Sequence, residues 1–236
     1  MNINHLFEKL AADTPILQAT FGLEREGLRI NQNGKLAQTS HPQAFGSRNF
    51  HPTIQTDFSE QQLELIRQLT PNVKTIGVLY SSSEDNSKTQ VEEFTAFAEK
   101  AGYKVLPYAV PSTNEIASTM NVMTGKVDAI WIPVDNTIAS AFSTVVSSNQ
   151  TAKKPIYPSA TAMVEEGGLG SVVVDQKDLG VATGKMTAKI LKGAKPADTA
   201  VEIFATGKSV VNKKMAAQLG ITIPDDVLKK AGQVIE

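Results

Sequence analysis

Thr75-Ile-Gly-Val-Leu-Tyr80, followed at once by Ser81-Ser-Ser-Glu-Asp-Asn-Ser87, is the stretch that decides the fold. A short apolar run that breaks into a polar loop reads as a buried strand ending at a sheet edge. The next segment places Val91, Phe94, Ala98 and Ala101 on one helical face and stops at Gly102. Lys104 to Val110 repeats the strand pattern, and Ile116, Met120 and Met123 repeat the helical one up to Gly125. Val127-Asp-Ala-Ile-Trp-Ile-Pro-Val134 is a third strand, and Ile138, Ala141, Phe142, Val145 and Val146 mark one further helix. A fourth strand begins at Pro155-Ile-Tyr-Pro158 and a fifth runs from Gly170 to Val174. Leu179, Ala182, Met186 and Ile190 then form a helix closed by Gly193. Strands alternating with helices of this length imply βαβ units and a mainly parallel sheet, so the fold class is α/β.

Ligands of such sheets sit outside the carboxyl ends of the strands, in the loops that leave them. Two of those loops carry capping-box signatures, Ser87-Lys-Thr-Gln90 and Ser112-Thr-Asn-Glu115. Asp135-Asn-Thr137 and Ser159-Ala-Thr161 offer similar side chains at the next two strand ends. Each loop has a plain reading, in which it only caps its helix. Four polar loops on one sheet edge also suit a cleft for a small molecule, and helix starts suit a carboxylate.

Composition narrows the function classes. The chain has 236 residues, a net charge of −1 and no cysteine. Without cysteine there are no disulfides, thiolate metal sites, Cys nucleophiles or lipidated N-terminal Cys. No Lys/Arg-rich run or basic stripe stands out, which argues against nucleic acid as a partner. No apolar run reaches the roughly 18 residues of a membrane span. Met1-Asn-Ile-Asn-His-Leu-Phe-Glu-Lys-Leu10 carries acid and lacks a long apolar core, so no signal peptide is read and the expected location is cytoplasmic. His5, His41 and His51 are the three histidines, which excludes a Ser-His-Asp arrangement built within the α/β part. Gly167-Gly-Leu-Gly170 precedes a strand rather than opening a helix, so it is no dinucleotide fingerprint. Trp131 reads as core. Binding is expected of this half, and chemistry is not.

From Gln62 to about Ile223 the sequence resembles ABC-transporter substrate-binding proteins of the tryptophan/tyrosine type. Lys126-Val-Asp-Ala-Ile-Trp-Ile-Pro-Val-Asp-Asn-Thr137, Met163-Val-Glu-Glu-Gly-Gly168 and Asp178-Leu-Gly-Val-Ala-Thr-Gly-Lys-Met-Thr-Ala-Lys-Ile-Leu-Lys-Gly193 carry the match. The resemblance implies a type I periplasmic-binding-protein-like architecture, in which two α/β lobes close on an amino-acid-like solute. It also implies an ABC permease as partner and an extracytoplasmic setting. What matches is the second lobe, plus a strand and helix (about 171–192) that would return to the first. The first lobe's own early elements have no counterpart, which leaves a face that could pair two copies as a homodimer. By loop position, the resemblance assigns ligand contacts to Ser82, Ser83, Glu84, Asn86, Ser87, Asp135, Asn136 and Thr137, with Ser159 and Asp175 as outliers. The expected ligand is an aromatic amino acid, held weakly because half the clamp is absent.

Residues 1–66 resemble a different family. Phe21-Gly-Leu-Glu-Arg-Glu-Gly-Leu-Arg-Ile30, Gly46-Ser-Arg48 and Thr56-Asp-Phe-Ser-Glu-Gln-Gln-Leu-Glu-Leu-Ile66 are similar to the start of glutamate–cysteine ligase in its bifunctional, glutathione-synthesising form. Glu24 and Glu26 alternate and would leave one face of a strand together. The resemblance implies that, with Asp57 and Glu64, they would be Mg²⁺ ligands, since hard cations take oxygen donors. The alternative is four solvated acids. Catalysis is not expected, because the ATP, glutamate and cysteine sites require several hundred further residues. The expected organisation is a small α+β segment over 1–66, with a turn at Asn33-Gly34, and a receptor-derived lobe over 67–236. Gln62-Leu-Glu-Leu-Ile66 belongs to both resemblances, as a recombination, gene fusion or assembly artefact would leave it. Resequencing the genomic DNA across this joint separates those origins.

Overall fold

A computed structural model of the chain describes residues 54–56, 59–195, 198–199, 202–204 and 207–236. Contacts divide the chain into Met1–Gln55 with Gly193–Glu202, and Thr56–Lys192 with Ile203–Glu236. Of the first unit's predicted features, Glu24, Glu26 and the Asn33-Gly34 turn lie outside the described residues, as does Asp57 in the second. The short strands β1 (Ile54–Thr56) and β7 (Glu202–Phe204) pair with each other.

The second unit opens with helix α1 (Ser59–Leu69). Strand β2 (Thr75–Ser81), helix α2 (Asp85–Lys100), strand β3 (Lys104–Val110), helix α3 (Ile116–Thr124) and strand β4 (Ala129–Trp131) follow. Next come helices α4 (Asn136–Ser140) and α5 (Phe142–Ser148), strand β5 (Ile156–Tyr157) and helix α6 (Thr161–Glu166). The sheet order is β3-β2-β4-β5, and every pair in it is parallel. The α/β class and the parallel sheet read from the sequence are the ones observed.

The two faces of this sheet separate by residue parity. Ile76, Val78, Ala129, Trp131 and Tyr157 point into one core, and Leu79, Ile130, Ile132 and Ile156 into the other. Alternate residues of a strand leave opposite faces, and helices cover both faces here, so the strands read as unbroken apolar runs. Phe94 of α2 stacks on Trp131 at a centroid distance of 4.0 Å, and Trp131 is core as expected. At Gly77 a Cβ atom would lie 2.9 Å from the Met123 sulfur and 3.0 Å from Val127 Cγ1. Helix α3 thus reaches the sheet only because position 77 carries no side chain.

Two elements differ from the sequence reading, and a third lies apart from the sheet. The third strand is only three residues long, and Pro133, which has no N–H to donate, lies just beyond its end. The helix read across Ile138 to Val146 breaks at Ala141 (φ −126°, ψ 29°) into α4 and α5. The fifth strand, β6 (Gly170–Val173), lies outside the parallel sheet, where the resemblance had a strand from about 171 leave this lobe. It pairs antiparallel with β8 (Lys208–Asn212), which pairs parallel with β9 (Gln233–Ile235). Helix α7 (Gln176–Leu191) follows β6, and α8 (Lys213–Leu219) and α9 (Asp225–Lys230) lie between β8 and β9.

Helix α1 fastens the two sheets within this unit. Leu63, Leu65, Ile66 and Leu69 are buried in the core that also holds Val172, Val211, Ile223 and Val227. Leu65 and Leu69 come close to β6 at Gly170, where a Cβ atom would sit 3.3 Å from Leu69 Cδ1. Gln62 Oε1 accepts the Val172 N–H at 2.7 Å, and Gln61 Oε1 accepts the Gly207 N–H at 3.1 Å. The stretch shared by the two resemblances, Gln62 to Ile66, lies wholly inside this helix, which continues unbroken to Leu69.

Candidate ligand-binding edge of the parallel sheet

Strands β2 and β4 are neighbours, so the loops leaving their carboxyl ends run side by side. Two carboxylates join them. Asp135 is 2% exposed; its Oδ2 accepts the Ser81 N–H at 2.6 Å and its Oδ1 accepts the Ile138 N–H at 2.8 Å. Glu84 reaches across from the other loop. Its Oε1 accepts the Thr137 N–H at 2.7 Å and the Thr137 hydroxyl at 2.8 Å. Its Oε2 accepts the Asn136 N–H at 3.0 Å and the Asn136 side-chain amide at 3.4 Å. Partial burial alone would raise the Glu84 pKa, but the donors from Asn136 and Thr137, and after them the Asp135 side chain, outweigh it and hold the carboxyl below its ordinary value.

The backbone of residue 134 completes the brace. Its N–H donates to Gln90 Oε1 at 3.0 Å, and its C=O accepts from Asn86 Nδ2 at 2.8 Å and Ser87 Oγ at 3.2 Å. This corrects the capping-box reading of Ser87-Lys-Thr-Gln90. Helix α2 begins at Asp85, with Glu84 at the N-cap and no side-chain cap bond. Just past the strand, residue 134 has no ladder partner, and Ser87 and Gln90 supply one each. Gln90 is the residue that sequence reading placed in the wrong role; a Ser and a Gln three apart look alike in either case.

The other predicted residues divide between internal and exposed positions. Ser112 caps the turn Thr113–Glu115, accepting the Asn114 N–H at 3.3 Å and donating to Glu115 Oε2 at 2.6 Å. Ser159 donates to the Ile132 C=O at 2.6 Å, and α6 starts after Ala160 with no side-chain cap, so Ser159 ties two strand ends together instead of capping. Ser82 and Ser83 are exposed; the Ser83 hydroxyl lies 2.7 Å from that of Ser81, and Ser82 makes a long 3.4 Å contact to the Val110 C=O. Asp175 lies apart from this group. It caps α7 through the Lys177 and Asp178 N–H groups and pairs with Lys208 at 2.8 Å. The Lys208 hydrogen bond, then the two backbone donors, hold its carboxyl below the usual range.

Glu64, expected among the metal carboxylates, sits on the surface of α1. Arg67 grips it with two 2.8 Å hydrogen bonds and Gln68 adds a third at 2.7 Å. Among the described residues, no group of three or more His, Asp or Glu side chains is placed to hold a metal. Two open grooves lie away from the predicted ligand contacts. One, of about 680 Å³, is lined by Gln61, Leu65, Val172 and Val227 among others. The other, of about 480 Å³, lies at the amino ends of the parallel strands around Pro71, Asp128 and Pro155. No helix among the described residues is long and apolar enough to cross a membrane.

A family model described as ABC transporter substrate binding protein matches residues 55–235. The chain belongs to that family. Within the substrate-binding family, a solved ABC domain from Streptococcus pneumonia, in complex with L-Trp, is 75% identical with a TM-score of 0.73; the match covers 77% of this chain and 61% of that one. The tyrosine-binding protein of Clostridioides difficile is 31% identical over 154 residues, 65% of this chain and 45% of the relative. A second relation is independent of the first. The glutathione biosynthesis bifunctional protein of Streptococcus mutans is 57% identical over 77 residues, 32% of this chain and only 10% of that protein. Both resemblances stated from the sequence are thus found, and the chain spans less than half the length of either curated relative.

Proposed function

We propose that this chain supplies one lobe of a solute receptor for an ABC permease, and that its ligand is an aromatic amino acid. The observation that carries the reading is the braced carboxyl edge of the parallel sheet, in a chain 75% identical over its match to a domain complexed with L-Trp. Direct contacts come from Ser82, Ser83, Asn86, Asn136 and Thr137, whose residues are exposed or half-buried at that edge. Glu84, Ser87, Asp135 and Ser159 act one layer behind, holding the loops that carry those groups. Asp175 stands outside the edge, engaged by Lys208. The setting is extracytoplasmic, as the family implies.

The receptor-derived unit begins with helix α1 in this reading, and the ligase-related segment passes into it through Gln62 to Ile66. The burial of Leu63, Leu65, Ile66 and Leu69 supports that placement, as does a family match that starts at residue 55. We further infer that the ligase-related segment performs no catalysis in the 236-residue chain. Glu64 is engaged by Arg67, and the relation to the bifunctional enzyme spans 10% of that protein.

Isothermal titration calorimetry with L-Trp and L-Tyr tests the main reading. Weak, stereoselective heat is expected, because the ligand meets one lobe in place of two. Sub-micromolar affinity would overturn the single-lobe picture, and no heat with either amino acid would overturn the ligand class. Mg²⁺-dependent ATP turnover with glutamate and cysteine would overturn the non-catalytic assignment.

A further inference from the structure

A carboxylate has room for about four well-placed donors, two on each oxygen. Glu84 has four: the N–H and amide of Asn136 on Oε2, and the N–H and hydroxyl of Thr137 on Oε1. These are the donors that a ligand carboxylate would otherwise seek at this corner of the sheet edge. Asp135, directly behind them, accepts one N–H on each oxygen, from Ser81 and Ile138. The donor pocket of the edge is therefore filled from within, by a side chain that crosses from the neighbouring loop. The charged groups nearest Glu84 in sequence, Asp85 and Lys88, pair with each other at 3.1 Å.

We propose that Glu84 is an internal carboxylate that closes the anion-accepting corner formed by Asn136 and Thr137, and so sets which end of a ligand this lobe can face. Resting on the solute-binding reading, this assigns the ligand's neutral or cationic part to the present lobe and its carboxylate to groups elsewhere. An anionic group approaching the corner finds the Asn136 and Thr137 N–H groups and the Thr137 hydroxyl already bonded to Glu84, and two acids, Glu84 and Asp135, in place. The role is one of positioning and exclusion. Glu84 fixes the Asn136–Thr137 loop against the loop after β2, and it keeps out competitors of its own charge type.

Chemical rescue tests this without presupposing a ligand. In Glu84→Ala, the four donors are left without their acceptor, and the melting midpoint is expected to fall by several degrees. Formate, which reproduces the missing carboxylate, is expected to recover most of that fall and to saturate. Chloride at equal ionic strength should not, and the wild-type chain should respond to neither. Glu84→Asp should be rescued in part and Glu84→Gln not at all, since its amide fills the space with the wrong polarity. Equal responses to formate and chloride, or a formate response in the wild type, would overturn the proposal. Should Glu84→Ala populate no folded state in chloride, return of a cooperative transition in formate supports it and failure to return overturns it. A second arm compares tryptamine with indole-3-propionate by ligand-observed NMR. The wild type is expected to favour tryptamine, and Glu84→Ala to shift toward the propionate by several-fold. Silence of both compounds in the wild type would count against the aromatic-ligand reading, while the formate series still decides the role of Glu84.

Discussion

Helix α1 and the loops after β2 and β4 are both fixed firmly, but by different forces. The helix is held by apolar burial: Leu63, Leu65, Ile66 and Leu69 are each under 10% exposed, with two glutamines adding backbone ties. The loops are tied to each other by hydrogen bonds to Glu84, Asp135 and residue 134. Burial is additive and forgiving of detail, whereas a hydrogen-bonded brace depends on every acceptor being filled. The helix is therefore fixed mainly by its apolar spacing, with Gln61 and Gln62 adding specific ties.

That contrast can be broken by mutation. Ile66→Ala should have the largest effect, costing about 2–5 kcal/mol in chemical denaturation, as expected for deleting a fully buried aliphatic chain. A cost near zero would mean that α1 is an appendage of the receptor unit and not part of its core. Asp135→Ala comes close behind: it deprives the Ser81 and Ile138 N–H groups of their acceptor, and an unpaired buried donor costs roughly 1–3 kcal/mol. If this variant proved as stable as the wild type, water would be replacing the brace and the loops would be softer than described.

Glu84 sharpens the comparison through pH. Its folded-state pKa is depressed, so its contribution to stability is full above the ordinary glutamate range and fades as pH falls through the depressed value. Glu84→Gln should therefore melt below the wild type at neutral pH, and the gap should close on acidification. A gap independent of pH would show that the carboxylate's charge is not what holds the loops. The smallest effect belongs to the Arg67–Glu64 pair, both of whose side chains are more than 40% exposed. Arg67→Met should change stability by less than about 1 kcal/mol. A larger loss would give this pair the structural weight assigned here to the buried side of the helix.

The fold was readable because its signal is periodic. Ile76, Val78, Ala129 and Trp131 alternate with Leu79, Ile130 and Ile132, and helix faces such as Val91-Phe94-Ala98 supply the cover. The readings that failed involved geometry beyond the element itself. Ser87 and Gln90 have capping-box spacing, yet they serve the backbone of residue 134, 44 and more positions away. The Gly170 strand has the same local pattern as the others, and its pairing with β8, more than thirty residues later, is not written in that pattern. The candidate site was legible as a set of loops and not as a set of roles. Ser82 and Asp135 look equally available in sequence, and one is exposed while the other is buried with both oxygens engaged.

The amino-acid sequence determined the alternation of strand and helix, the parallel sheet, the polar carboxyl edge and the presence of two unrelated resemblances. Local periodicity and turn chemistry suffice for the strands, helices, sheet and polar edge, because each is written within a few consecutive residues; the resemblances rest on much longer matched stretches. Only the tertiary structure decided that Gln62 to Ile66 lie within a core helix, and that Glu84 satisfies donors on a different loop. The reason is physical: which apolar face finds a partner, and which acceptor meets an unpaired N–H, depends on segments that only folding brings together.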